Sequence, residues 1–266
     1  MEDAKEEKEL LKRRGAVKRK AFVLILGCIF VFGITKSFCL AETINLEIPS
    51  GGKIKCEYYK SSGDDKRPVI LILPGLSGLR SSYLNERYID LAKLLRKKYN
   101  FNVLAVDYRG KTNEEMFKIV NKEGGSRTLV EQEVVTGLDY LQNQKNVDEQ
   151  KVGVAGFSLG TIVAIRTAAR EDCVKALALV SLIVAADQDV EPEFSRCANR
   201  PILFVAAKDD HIPQNKTNAA ENTLYWSQQA RGNNKVEITK GKMHAAELLE
   251  LKGMKEMIGD WFKEHL

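Results

Sequence analysis

Cysteine, histidine and cofactor signatures are scarce in this sequence. It holds five cysteines and three histidines in 266 residues. Cys28 and Cys39 lie in an N-terminal segment with the character of a leader. Cys56, Cys173 and Cys197 remain, an odd number with no C-x-x-C among them. That excludes a disulfide-built scaffold, so the core must stand without staples, although a Cys173–Cys197 pair stays open if their segments converge. No His/Cys/Asp cluster has metal-ligand spacing, and no G-x-G-x-x-G opens a helix, so neither a metal nor a nucleotide cofactor is expected. No basic run is interleaved with aromatics, which leaves nucleic-acid binding without support. Internal repeats and low-complexity segments are also missing.

The formal charge is +5, but it is unevenly placed. Residues 1–41 carry nine Lys/Arg and five Asp/Glu, and the remainder holds 32 basic and 31 acidic residues. The basic character therefore belongs to the N-terminal segment. There, Lys12–Lys20 is a positive stretch, Ala21–Thr35 is an apolar run, and Cys39-Leu40-Ala41 offers small residues at a cleavage position before Glu42. This is the layout of a secretory signal peptide. The run is short for a spanning helix, which needs roughly 20 residues. An uncut Ala21–Ala41 would instead serve as a membrane anchor with its basic end in the cytoplasm. The expected organisation is a signal peptide or anchor over 1–41 and one domain over 42–266. The protein is then exported, or held at a membrane by its N-terminal segment.

The body alternates between two periodicities. Ile44–Ile48 and Lys53–Tyr59 flank Ser50-Gly51-Gly52 as a hairpin. Strands are expected at Pro68–Leu73, Asn102–Asp107, Val152–Phe157, Val174–Leu182, Ile202–Ala206 and Lys235–Thr239. Helices are expected at Tyr83–Lys98, Thr128–Gln144, Thr161–Ala169, near Lys216–Gln229 and at Ala245–Lys263. Strand–helix alternation of this kind predicts an α/β fold, a mostly parallel central sheet with helices on both faces. Ligands of such sheets sit beyond the carboxyl ends of the strands. The acidic insertion Ala185–Arg200 is too short for a lid domain. Lys111–Arg127 is a second candidate for movement, with Gly124-Gly125 as hinge.

The chemistry concentrates in Lys151–Arg170. An apolar run leads into Gly156-Phe157-Ser158-Leu159-Gly160, and a helical pattern follows. Strand, G-x-S-x-G and helix are what a strained turn needs to expose a serine hydroxyl, with the helix N-terminus beside it. A serine hydroxyl needs a general base, and the base needs an orienting group. His265 is the penultimate residue and His211 adjoins two aspartates. His244, between the last strand and the last helical segment, is the candidate base. Asp209, just past Ile202–Ala206, is the candidate acid; Asp210 is a live alternative, and Asp187 and Asp189 are a third choice. The candidate oxyanion donors are the backbone N–H groups of Leu159 and of Leu76, in the turn after Pro68–Leu73. Leu76, Leu159, Met243 and Val184–Ala186 would line an apolar mouth.

These matched places, Leu73-Pro74-Gly75-Leu76, Asp107-Tyr108-Arg109-Gly110, the G-F-S-L-G elbow, and an Asp followed by His244, occur in an order that resembles the α/β-hydrolase superfamily. The compact layout is similar to dienelactone-hydrolase-like and small serine esterase members. The resemblance covers about Thr43 to Leu266. It implies a serine hydrolase that cleaves an ester or thioester of a small acyl substrate through an acyl-enzyme, with no cofactor. Peptidase and acyltransferase activities use the same triad, and a non-catalytic envelope-binding protein would keep the fold. Two departures stand out. Dienelactone hydrolases carry a cysteine nucleophile where this chain has Ser158. Many relatives have His-Gly where this chain has Pro74-Gly75.

Overall fold

The computed structural model describes residues 41–49, 51–76, 82–108, 129–184, 190–212 and 217–266. The leader-like segment, Lys111–Arg127, Asp187 and Asp189 lie outside the described residues, as do Arg109 and Gly110.

Strands β1 (Glu42–Glu47) and β2 (Lys53–Tyr59) form the expected antiparallel hairpin. The chain then alternates through β3 (Arg67–Leu73), α1 (Ser82–Tyr99), β4 (Asn102–Asp107), α2 (Leu129–Gln142), β5 (Val147–Phe157), α3 (Leu159–Arg170) and β6 (Val174–Val180). It continues through α4 (Glu191–Cys197), β7 (Ile202–Ala207), a small β8 (His211–Ile212) and β9 (Thr217–Asn218) pair, α5 (Ala219–Gln229) and β10 (Asn234–Thr239). A 3-10 turn (Ala245–Glu250) and α6 (Met254–His265) complete it.

The main sheet runs β1-β2-β4-β3-β5-β6-β7-β10 and is parallel from β4 onward. Its central strands are apolar on both faces because both faces are covered. Val69, Leu71 and Leu73 of β3 pack into one core layer with Val134, Val163, Phe194 and Trp226 from α2, α3, α4 and α5. Ile70 and Ile72 point the other way, into a layer with Leu91 and Leu95 of α1 and Ile258 and Phe262 of α6. Period-two alternation within a continuously apolar run is the signature of a doubly covered strand.

The order also fixes where a site can form. β3 has β4 on one side and β5 on the other. The chain leaves β3 in one direction and returns past it to build β5, so connections diverge at the carboxyl ends of β3 and β5. Such a reversal opens a crevice there. The turn at Leu76 and the elbow at Ser158 occupy those two strand ends.

Three expectations change. The fifth strand starts at Val147, five residues early, because an irregularity lets Arg67 pair with Val147 before the regular ladder resumes. The last helical segment is broken in two, since Leu251 is extended and Gly253 takes φ 84°, a left-handed value that ends the 3-10 turn and starts α6. The acidic insertion contains the short helix α4, with Pro192 in its first turn and Phe194 buried in the core. The three body cysteines are free.

The elbow glycines are required by packing. A Cβ on Gly160 would stand 2.0 Å from the Leu73 carbonyl oxygen and 2.7 Å from that of Pro74. Both atoms belong to the backbone of the turn that faces Ser158, so no side chain can swing away. Gly160→Ala is expected to lower stability by about 3 kcal/mol, at the upper end for overpacking, read as a fall in the urea midpoint with an unchanged m-value.

Candidate active site

Ser158 is held where few side chains sit. Its φ of 51° and ψ of −117° match the first central position of a type II′ turn, which glycine dominates. Its N–H donates to the Val180 carbonyl (2.9 Å), and its carbonyl accepts both the N–H (2.9 Å) and the hydroxyl (2.6 Å) of Thr161. Strand β6 and helix α3 thus grip the backbone on both sides of the elbow. Leu159 is the first residue of α3, where the leading N–H groups have no intrahelical acceptor.

The β3 turn is fixed against this elbow. A Cβ on Gly75 would meet the Ser158 Cβ at 3.2 Å, so glycine lets the turn approach closely. The Gly75 N–H donates to the Tyr88 hydroxyl of α1 at 3.1 Å. Tyr88 is buried edge-on against Phe157, and burial pushes its phenol well above the ordinary range, so it stays neutral. With the Gly75 amide engaged, the next N–H in the turn is that of Leu76.

His244 Nε2 lies 2.7 Å from Ser158 Oγ. On the other side of the ring, Nδ1 lies 2.8 Å and 3.0 Å from the two carboxylate oxygens of Asp210. With Nδ1–H donated to the carboxylate, Nε2 is left as the acceptor facing the serine hydroxyl. The His244 side chain remains 38% exposed and that of Asp210 only 2%, so the imidazole faces solvent while the carboxylate bonded to it does not.

The acid against His244 is therefore Asp210, and the assignment to Asp209 is corrected. Beyond β7 the backbone keeps bonding toward the β10 side, Lys208 N–H to Thr239 and Asp209 N–H to Gly241, both at 2.9 Å. It then turns back through Asp210 N–H to the Ala207 carbonyl (3.2 Å), while the Ala219 N–H donates to the Asp210 carbonyl at 2.8 Å. This turn leaves Asp209 exposed and drives Asp210 inward. His211 is exposed in β8, and His265 bonds to the Trp261 carbonyl and Asn233 in α6's last turn, away from Ser158.

The sequence reading missed the residues that hold this arrangement. The His244 N–H donates to the Glu247 carboxylate at 3.0 Å, and the Ala245 N–H donates to Ser181 Oγ at 2.8 Å. Arg87, beside Tyr88 on α1, places two guanidinium nitrogens on one Glu250 oxygen at 2.9 and 2.7 Å. One helix thereby touches both the turn after β3 and the segment after His244. Glu247, three residues after His244, was the only local signal available, as a capping-type spacing.

Thiols do not compete with Ser158. Burial pushes Cys56 up to about 12 and Cys197 up to about 11. Burial also raises Cys173, so none of the three is a thiolate at neutral pH. Among the described residues no group of three or more His, Cys, Asp or Glu is placed to hold a metal ion.

A mostly parallel sheet, a strained serine on a strand-to-helix elbow, and histidine on a later strand-end loop define an α/β-hydrolase. The dienelactone hydrolase family model matches residues 56–246, and the chain belongs to that family. Its named reaction opens a lactone, a cyclic ester, which places this chain among hydrolases of ester bonds. In structure, the chain is similar to a dienelactone hydrolase from Anabaena variabilis, with a TM-score of 0.60 at 18% identity over 85% of this chain and 98% of that one. A Pyrococcus furiosus esterase gives 0.61 at 16% identity, covering 85% and 92%. A cold-adapted esterase from an Arctic intertidal metagenomic library gives 0.63 at 17%, covering 85% and 94%. Comparison with the curated proteins gives no match.

Proposed function

We propose that this protein hydrolyses small carboxylic esters or thioesters through an acyl-enzyme on Ser158. The observation that carries the proposal is the unbroken Ser158–His244–Asp210 hydrogen-bond chain at the carboxyl edge of the sheet. His244 Nε2 takes the hydroxyl proton as Oγ bonds to the substrate carbonyl carbon. Asp210 holds the imidazole in the required tautomer and stabilises its cation. The tetrahedral oxyanion is held by the N–H groups of Leu159 and Leu76, each worth about 2.7–4 kcal/mol in comparable sites. The imidazolium then gives its proton to the departing alkoxide or thiolate. Water, deprotonated by His244, attacks the acyl carbon and frees Ser158.

The test is labelling of the full chain with a fluorophosphonate, followed by peptide mapping. Adduct on Ser158, absent when His244 is replaced by alanine, is the expected result. A folded protein that takes no label overturns the proposal. The basic-then-apolar pattern of residues 1–41 supports export or membrane anchoring of this activity. Among the described residues, no helix is long and apolar enough to cross a membrane. A size difference between precursor and exported protein on an immunoblot would separate a cut signal from a retained anchor.

A further inference from the structure

Backbone strain in this protein is not scattered. Among the described residues, four non-glycine residues have positive φ: Asn100 (57°), Ser158 (51°), Ser181 (54°) and Ala245 (51°). Asn100 is of a type that tolerates this region, and its side chain pairs with the Ser62 backbone, accepting from the N–H and donating to the carbonyl. The other three gather around the Ser158–His244 pair. Ser158 is the elbow, Ser181 is the first residue after β6, and Ala245 follows His244 directly.

Ser181 and Ala245 are the two ends of one hydrogen bond. Ser181 is fully buried, and its Oγ accepts the Ala245 N–H at 2.8 Å. Its own N–H donates to the Val205 carbonyl at 2.8 Å, so the acceptor is tied to the junction of β6 and β7. The preceding amide, that of His244, is held by Glu247. Both peptide N–H groups flanking the imidazole are therefore fixed, one to its own turn and one to the sheet. Merely satisfying a buried N–H would not require two residues in a disfavoured conformation. Strain of this sort persists where the surroundings over-determine it, and it collects at working sites.

We infer that Ser181 is a positioning residue for the base: its hydroxyl anchors the Ala245 amide to the sheet and so sets the distance and aim of His244 toward Ser158. The inference rests on the acyl-enzyme reading above. It assigns Ser181 no contact with substrate. Loss of the anchor leaves the imidazole bonded to Asp210 but free to drift from Oγ. A displacement of about 1 Å at such a distance costs up to about a hundredfold in rate.

The experiment compares full-length wild type with Ser181→Ala, Ser181→Gly, Ser61→Ala and His244→Ala. It measures kcat and KM on p-nitrophenyl acetate, the fluorophosphonate labelling rate of Ser158, and thermal melting. Ser181→Gly removes the same oxygen while relieving the positive φ, so it carries the test if the alanine variant folds poorly. Ser61 supplies a matched control. It is buried, its Oγ accepts from Asn146 at 3.1 Å, and it lies at the opposite end of the sheet. Both Ser181 variants are expected to lose about ten- to a hundredfold in kcat and labelling rate with KM within about twofold. Ser61→Ala is expected to shift melting alone. Wild-type kcat in folded Ser181→Gly, or an equal kcat loss in Ser61→Ala, overturns the inference while leaving the acyl-enzyme reading intact. Labelling of His244→Ala at the wild-type rate overturns both.

Discussion

Ser158→Ala is expected to reduce kcat for ester hydrolysis by about six orders of magnitude, the scale seen when a triad serine is lost in comparable enzymes. Fluorophosphonate adduct should disappear with it. The fold should not suffer, because Ser158 Oγ serves His244 while its backbone, not its hydroxyl, is tied to Val180 and Thr161. A second substitution separates chemistry from conformation. Alanine keeps the penalty of φ 51°, ψ −117°, whereas glycine adopts that region freely. Relief of about 1–3 kcal/mol of strain, less about 0.4–1 kcal/mol of added unfolded-state entropy, leaves a net gain near 1 kcal/mol. Ser158→Gly should therefore melt about 2–4 °C above Ser158→Ala, with both equally inactive. Equal melting temperatures would mean that the elbow is not strained; substantial hydrolysis by either variant would remove Ser158 from the mechanism.

The elements most legible in the sequence were those whose environment imposes a period. Val69–Leu73 of β3, Val152–Phe157 of β5 and all of β7 read as buried strands because both faces are covered there and every position selects an apolar or small residue. The elbow was legible because its glycines answer to a backbone approach that no other residue permits. His244 was legible because the chain has only three histidines and one lies on a suitable loop. The Gly253 break in the last helical segment was not, since an amphipathic pattern runs through Ala245–His265 and a single left-handed glycine interrupts it without disturbing the pattern. Nor were Ser181, Tyr88 and Arg87. Each acts on a backbone or side chain far away in sequence, and a serine, tyrosine or arginine alone carries no mark of the partner the fold brings to it.

Neighbouring aspartates pose the same problem in its sharpest form, and substituting them is the most direct check on the site. Sequence order places both Asp209 and Asp210 just past β7, and only the direction of the turn decides between them. In the structure the turn buries Asp210 against His244 Nδ1 and leaves Asp209 exposed. Asp210→Asn preserves size but alters the proton balance. An amide nitrogen turned toward Nδ1 makes that ring nitrogen the acceptor and puts the ring proton on Nε2, where it opposes removal of the serine proton. The amide also lacks the charge that stabilises the imidazolium. In chymotrypsin-like enzymes the equivalent exchange lowers kcat by about 10⁴, and a loss of that order is expected here. Asp209→Asn should stay within about twofold of wild type, as for an exposed substitution worth no more than ~0.5 kcal/mol. Nitrogen NMR of the His244 ring adds a readout independent of rate, with the protonated nitrogen moving from Nδ1 to Nε2 in Asp210→Asn alone. The opposite pattern, with activity lost through Asp209 and retained without Asp210, would mean that the turn after β7 is inverted in the working enzyme.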